Sequence, residues 1–215
     1  MRTLQQFSIV RLHNSTLRYF IKERHSPFKN FNTQTHKTIK KRKPNMGYIY
    51  LYTGTGGGKT TNALGLALRT VGHKRNVIII QFMKWWKTTG EYKIRKTLEP
   101  YYEIYLFGRK GWHGLNNLGK QDRELAQKAL NFARQAMISK KPHLLVLDEI
   151  NLALHTKLLN INDVLALLDL VPKRTHVVLT GRYAPKELIQ RADFVNEIVA
   201  VKAPQQIPTT KGIQY

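Results

Sequence analysis

The chain has 215 residues, enough for one domain that buries roughly 70% of its extended surface, so a core can form without staples. It is 42% hydrophobic and 23% charged, has no run near the ~20 apolar residues of a membrane span and has no cysteine. Membrane spans, disulfides, iron–sulfur clusters and thiolate zinc sites are therefore excluded, and a metal would need oxygen or nitrogen ligands. The formal charge of +23 favours polyanions, whether phosphates, nucleotides or nucleic acid, without choosing among them.

The charge is uneven. Residues 1–45 carry eleven Lys and Arg against one acid, Glu23, and end in the run Lys40, Lys41, Arg42, Lys43 before Pro44. Three readings stay open: a disordered basic extension, an organelle transit peptide suggested by Leu4, Phe7, Arg11 and Arg18, and residues translated from upstream of a usual start at Met46. A single folded domain is expected over 46–215. The expected compartment is the cytoplasm, with organelle import through residues 1–45 as the alternative.

From Met46 onward the pattern alternates strand and helix. Tyr48 to Tyr52 predicts a strand, and a glycine loop leads into a helix from about Thr60 to Val71 that Gly72 can end. Val77 to Phe82 is a continuous apolar run and reads as a buried strand. Glu91 to Leu98 predicts a short helix, Glu103 to Phe107 a strand, and Asp122 to Ser139 a long helix. Leu144 to Leu147 is a second buried strand, Asn162 to Leu170 a helix, and His176 to Thr180 a strand. Pro185 to Arg191 predicts a helix and Phe194 to Val199 a last strand. Apolar strands separated by helices imply an α/β fold, a mainly parallel central sheet covered on both faces as a third layer between helices. Ligands then gather at the carboxyl ends of the strands.

Between the first strand and helix lies Thr53-Gly54-Thr55-Gly56-Gly57-Gly58-Lys59-Thr60-Thr61. Glycines let the backbone turn its N–H groups inward, the helix adds its positive end, Lys59 supplies a mobile charge and Thr60 an oxygen suited to Mg²⁺. The loop is short. Gly54 and Gly58 enclose three residues where a standard phosphate loop has about four, Thr53 standing in place of the first glycine. Asp148 and Glu149 emerge from the strand Leu144 to Leu147, where an acid beside a phosphate loop binds Mg²⁺ directly or through water. His155 reads as a packing or surface histidine.

These residues resemble the phosphate-loop type of ATP:corrinoid adenosyltransferase, the cob(I)yrinic acid a,c-diamide or cob(I)alamin adenosyltransferase family. The resemblance runs in unbroken order from about Gly47 to Tyr215. It rests on the shortened loop, on Arg69 within Ala67-Leu68-Arg69-Thr70-Val71-Gly72, on Gln81-Phe82-x-Lys84, on Leu147-Asp148-Glu149-Ile150-Asn151, on Thr180-Gly181-Arg182 and on Lys211-Gly212-Ile213-x-Tyr215. It implies a P-loop NTPase-like fold and transfer of the 5′-deoxyadenosyl group of ATP to the Co(I) of a reduced corrinoid, with triphosphate leaving.

The resemblance also implies roles. Residues Gly54 to Thr61 would cradle ATP in the sense opposite to ordinary NTPases. Lys59, Thr60 and Glu149 would be catalytic, Thr60 and Glu149 would ligand Mg²⁺ (or Mn²⁺) with support from Asp148, and Arg69 and Arg182 would contact nucleotide or phosphates. Trp112 matches a loop tryptophan that in relatives packs the corrin and helps to remove its lower axial ligand. Where relatives commonly carry phenylalanine two residues earlier, this chain has Lys110. Trp85 and Trp86 offer a further apolar wall or divide between core and surface. The implied partners are cobalamin, cobinamide or cobyrinic acid a,c-diamide, a flavin-type electron donor protein and a second copy in a homodimer. A nucleic-acid-dependent ATPase is the alternative suggested by charge, although no aromatic-basic single-strand motif or helix-turn-helix accompanies it. A non-catalytic nucleotide-gated carrier is the third class.

Overall fold

The computed structural model describes residues 47–111 and 114–215. Both Trp112 and the three alternatives for residues 1–45 fall outside the described residues. Six strands form one sheet, β1 (Ile49–Thr53), β2 (Val77–Phe82), β3 (Tyr102–Phe107), β4 (Leu144–Asp148), β5 (His176–Thr180) and β6 (Phe194–Glu197), in the order β3-β2-β4-β5-β1-β6. Every pairing among them is parallel. Among the described residues six α-helices connect or follow them: α1 (Lys59–Gly72), α2 (Gly90–Lys93), α3 (Lys120–Ser139), α4 (Ile150–His155), α5 (Ile161–Asp169) and α6 (Lys186–Arg191).

Alternation along each strand sends neighbouring side chains to opposite faces, which builds two cores from continuous apolar runs. Val77, Ile79, Leu144, Val146 and Val178 face α1, where Ala63 and Ala67 let the helix lie close. Ile78, Ile80, Phe82, Leu145, Leu147 and Leu179 face the other layer, where α3 presents Ala126, Ala129, Ala133 and Ala136, a small-residue stripe at helical spacing, beside Leu130 and Met137. The result is the expected three-layer α/β fold.

The boundaries differ from expectation in instructive ways. Helix α1 continues through Gly72, and the left-handed residue that ends it is Lys74, φ 53°. The helix expected over 91–98 is a single turn, α2, tightened into a 3₁₀ turn over Ile94–Lys96. The last strand stops at Glu197, two residues early, because Ile198 turns onto the glycine loop. Helix α4 gave no sequence signal: it has six residues and starts after a left-handed glutamate in place of a capping residue.

Candidate active site

The strand register assembles the site. In β4 the residues facing α1 are Leu144, Val146 and then Asp148; in β2 they are Val77, Ile79 and then Gln81; in β5 they are Val178 and then Thr180. Gln81 pairs with Asp148, and Leu147 pairs with Leu179 one step before Asp148 and Thr180. Three polar side chains thus lie at or one residue before the carboxyl ends of three strands, on the same face, against the first turn of α1.

They bond to one another. Asp148 Oδ1 accepts hydrogen bonds from Thr180 Oγ1 at 2.6 Å and Thr60 Oγ1 at 2.9 Å, while Oδ2 accepts from Lys84 Nζ at 2.7 Å and Gln81 Nε2 at 3.0 Å. Asp148 is 1% exposed. Burial alone would raise its pKa, but the Lys84 charge and the hydrogen bonds outweigh burial and hold it below the ordinary carboxylate value. Gln81, Lys84 and Thr180 entered the sequence analysis only as parts of matched motifs, without roles. Their signal was a polar residue closing or following an otherwise apolar strand.

Glu149 begins the next turn with φ 65°, donating its backbone N–H to Thr180 Oγ1 at 2.9 Å. Met83 and Tyr183, which follow β2 and β5 within three residues, have φ 59° and 58°. Left-handed backbone in residues with side chains costs on the order of 1–3 kcal/mol and gathers at functional sites. Each of the three follows the carboxyl end of a sheet strand, β2, β4 or β5. The Glu149 carboxyl is pushed up by burial, with Lys84 opposing, and its buried Oε2 has no hydrogen-bond partner.

The glycine loop shows two distinct surfaces. A side chain at Gly54 (φ 98°) or Gly56 would collide with backbone of Ile198–Ala200, 2.4 Å from Ile198 O and 2.9 Å from Ala200 N respectively. Gly56 donates its N–H to Ile198 O at 2.8 Å, so that amide is engaged by the chain after β6. Gly57 and Gly58 meet nothing within 4 Å of a notional Cβ. Lys59 is 7% exposed and donates to Gly56 O at 2.5 Å. Burial lowers its pKa, with Glu149 opposing and Arg182 adding to the depression.

The remaining expected residues spread outward. Arg182 is exposed, yet its charge acts on both Lys59 and Glu149. Arg69 is not brought into this cluster: it lies ten residues along α1 from Lys59, about 15 Å of helical rise, beside Thr70, His73, Arg75 and His143. Trp85 and Trp86 are both half-buried and stack at 5.4 Å without dividing between core and surface, and Trp85 Nε1 donates to Gly111 O. His155 is exposed and stacks on Tyr183 at 4.3 Å.

Hard oxygen donors suit Mg²⁺ or Mn²⁺ better than softer metals. The Thr60 hydroxyl and the carboxylates of Asp148 and Glu149, the latter with its orphaned Oε2, fit such an ion. Among the described residues no group of three or more His, Asp or Glu could hold a metal, so phosphate oxygens would have to complete the shell.

With this geometry in view, the family model described as ATP:corrinoid adenosyltransferase BtuR/CobO/CobP matches residues 45–215. The chain belongs to that family. A corrinoid adenosyltransferase of Sinorhizobium sp. is 32% identical over 176 residues, covering 79% of this chain and 80% of the relative. Another, from Pseudomonas aeruginosa, is 32% identical over 79% of this chain and 84% of its own length. Corrinoid adenosyltransferase CobA of Salmonella typhimurium is 30% identical over 73% of this chain and 78% of the relative. Membership of an ATP-using family agrees with a phosphate loop between β1 and α1 and with carboxylates at the end of β4. No helix among the described residues is long and apolar enough to cross a membrane.

Proposed function

We propose that this adenosyltransferase-family protein transfers the 5′-deoxyadenosyl group of ATP to the Co(I) centre of a corrinoid in adenosylcobalamin biosynthesis or salvage. The observation that carries the reading is the family match over residues 45–215, which includes the loop and both carboxylates. In the reaction, the cobalt electron pair forms a Co–C bond with the ribose 5′ carbon. The C5′–O bond breaks, its electrons leave on triphosphate, and cobalt is formally oxidised from Co(I) to Co(III). No protein side chain serves as nucleophile, so holding the 5′ carbon in line with cobalt accounts for much of the rate.

The residues divide the remaining work. Lys59 exchanges Gly56 O for phosphate oxygens, and together with the N–H groups on the open side of the loop and Arg182 it stabilises charge accumulating on triphosphate. Thr60 and Glu149, supported by Asp148, hold Mg²⁺ or Mn²⁺, which when bound supplies further neutralisation of the leaving group. Trp112 is assigned to the corrinoid. Arg69, distant from the carboxylates, is assigned to an outer part of the nucleotide. The same proposal takes cobalamin, cobinamide or cobyrinic acid a,c-diamide as acceptor, a flavin-type protein as electron donor, and a cytoplasmic homodimer as the working form.

The test is direct. Purified protein with ATP, Mg²⁺ and chemically reduced corrinoid should yield a light-sensitive cobalt–carbon product and triphosphate. ADP or phosphate without that product would overturn the proposal.

A further inference from the structure

The Lys84 ammonium lies 2.7 Å from Asp148 Oδ2 and 3.2 Å from Thr60 Oγ1. It therefore touches two of the three side chains assigned above to a divalent cation. Asp148 has no acceptor capacity to spare: a carboxylate offers about four lone-pair sites, and Thr60, Thr180, Gln81 and Lys84 occupy them. A metal ion can reach Asp148 only if a donor leaves.

The four donors are not equally free to do so. Gln81 and Thr180 sit on buried strands, 1% and 0% exposed, and Thr60 is fixed in the first turn of α1. The Lys84 side chain is 22% exposed and stands on a flexible four-carbon stem just after β2. Lys84 is thus the displaceable partner. Its departure without replacement would leave a buried carboxylate without a counter-charge, while a divalent ion entering beside it would meet a cation held in place. An incoming triphosphate resolves both difficulties. It offers the ammonium a new anionic partner and brings oxygen ligands for the metal.

We propose that Lys84 is the resident counter-cation of this site, keeping divalent metal out of the nucleotide-free protein and yielding Asp148 and Thr60 only when metal arrives with the triphosphate of ATP. This rests on the assignment of Thr60, Asp148 and Glu149 as metal holders. By linkage, whatever factor ATP adds to metal affinity, metal adds to ATP affinity.

Binding of Mn²⁺ to the full-length protein, followed by electron paramagnetic resonance with and without ATP, tests this. The native protein should bind Mn²⁺ weakly alone and far more tightly with ATP. Lys84→Gln retains a donor for Asp148 but loses the charge, so its nucleotide-free affinity should rise about tenfold or more, and the enhancement by ATP should shrink in proportion. Lys84→Arg, which keeps the charge, should stay weak. Tight nucleotide-free binding by the native protein overturns the proposal even if no variant folds, and so does an unchanged nucleotide-free affinity in folded Lys84→Gln. If neither Thr60→Ala nor Glu149→Gln weakens Mn²⁺ binding in the presence of ATP, the metal assignment itself is wrong and the inference falls with it.

Discussion

Lys59 and Thr180 do different work in the site. Lys59 holds a loop carbonyl in the nucleotide-free protein and is assigned to the leaving triphosphate. Lys59→Ala should therefore lower kcat by about 10²–10³, the scale of losing one donor to developing charge, in a single-turnover assay of cobalt–carbon bond formation. Thr180 touches no substrate in the proposed reaction. Its hydroxyl donates to Asp148 and accepts from the N–H of Glu149, fixing both carboxylates relative to β5. Thr180→Val keeps the shape but strips the Glu149 N–H of its Thr180 acceptor and takes one of four donors from buried Asp148, and should cost about 1–3 kcal/mol of unfolding free energy in urea, with Thr180→Ser restoring most of it. Asn151 plays a related part, joining Tyr52 O at 3.3 Å to Gly181 O at 3.0 Å and so tying the ends of β1 and β5 together.

At the opposite, amino ends of the strands, β4 and β5 meet through histidines. His176 Nδ1 accepts the backbone N–H of Tyr48 at 3.2 Å, and the rings of His143 and His176 lie edge to face at 5.2 Å. Burial lowers both pKa values, with Arg75 adding to the effect on His143 and His143 to that on His176. Because each folded value lies below the unfolded value, the neutral rings contribute stability that is present above about pH 6.5 and is lost as pH falls through the folded values. The thermal midpoint should fall on acidification through this range, and less steeply in His176→Gln. Sequence patterning reveals the inner strands because β2, β4 and β5 carry continuous apolar runs, and it reveals α3 because that helix carries an unbroken helical period. It misses what depends on register. That Gln81, Asp148 and Thr180 converge follows from three strands pairing in step, and no single segment records its neighbour's alignment. The loop and the carboxylate pair were legible locally; the engagement of the Gly56 amide by Ile198, far along the chain, was not.

On the scale of the whole chain, the family match begins at residue 45 and spans the sheet, the loop and the carboxylates. A chain starting at Met46 should therefore retain kcat and KM for ATP and corrinoid, as steady-state kinetics of the two forms would show. Loss of turnover in the shortened form would give residues 1–45 a part in the reaction. The six parallel strands contain no hairpin, so every pairing waits for a crossover, and such topologies form their contacts late. The sharpest instance is the glycine loop. It occupies positions 53–61, but part of its wall is the backbone of Ile198–Ala200. A ribosome must thus synthesise past Ala200 before the anion cradle gains its shape, and a nascent fragment ending before that wall has no finished cradle for ATP to stabilise.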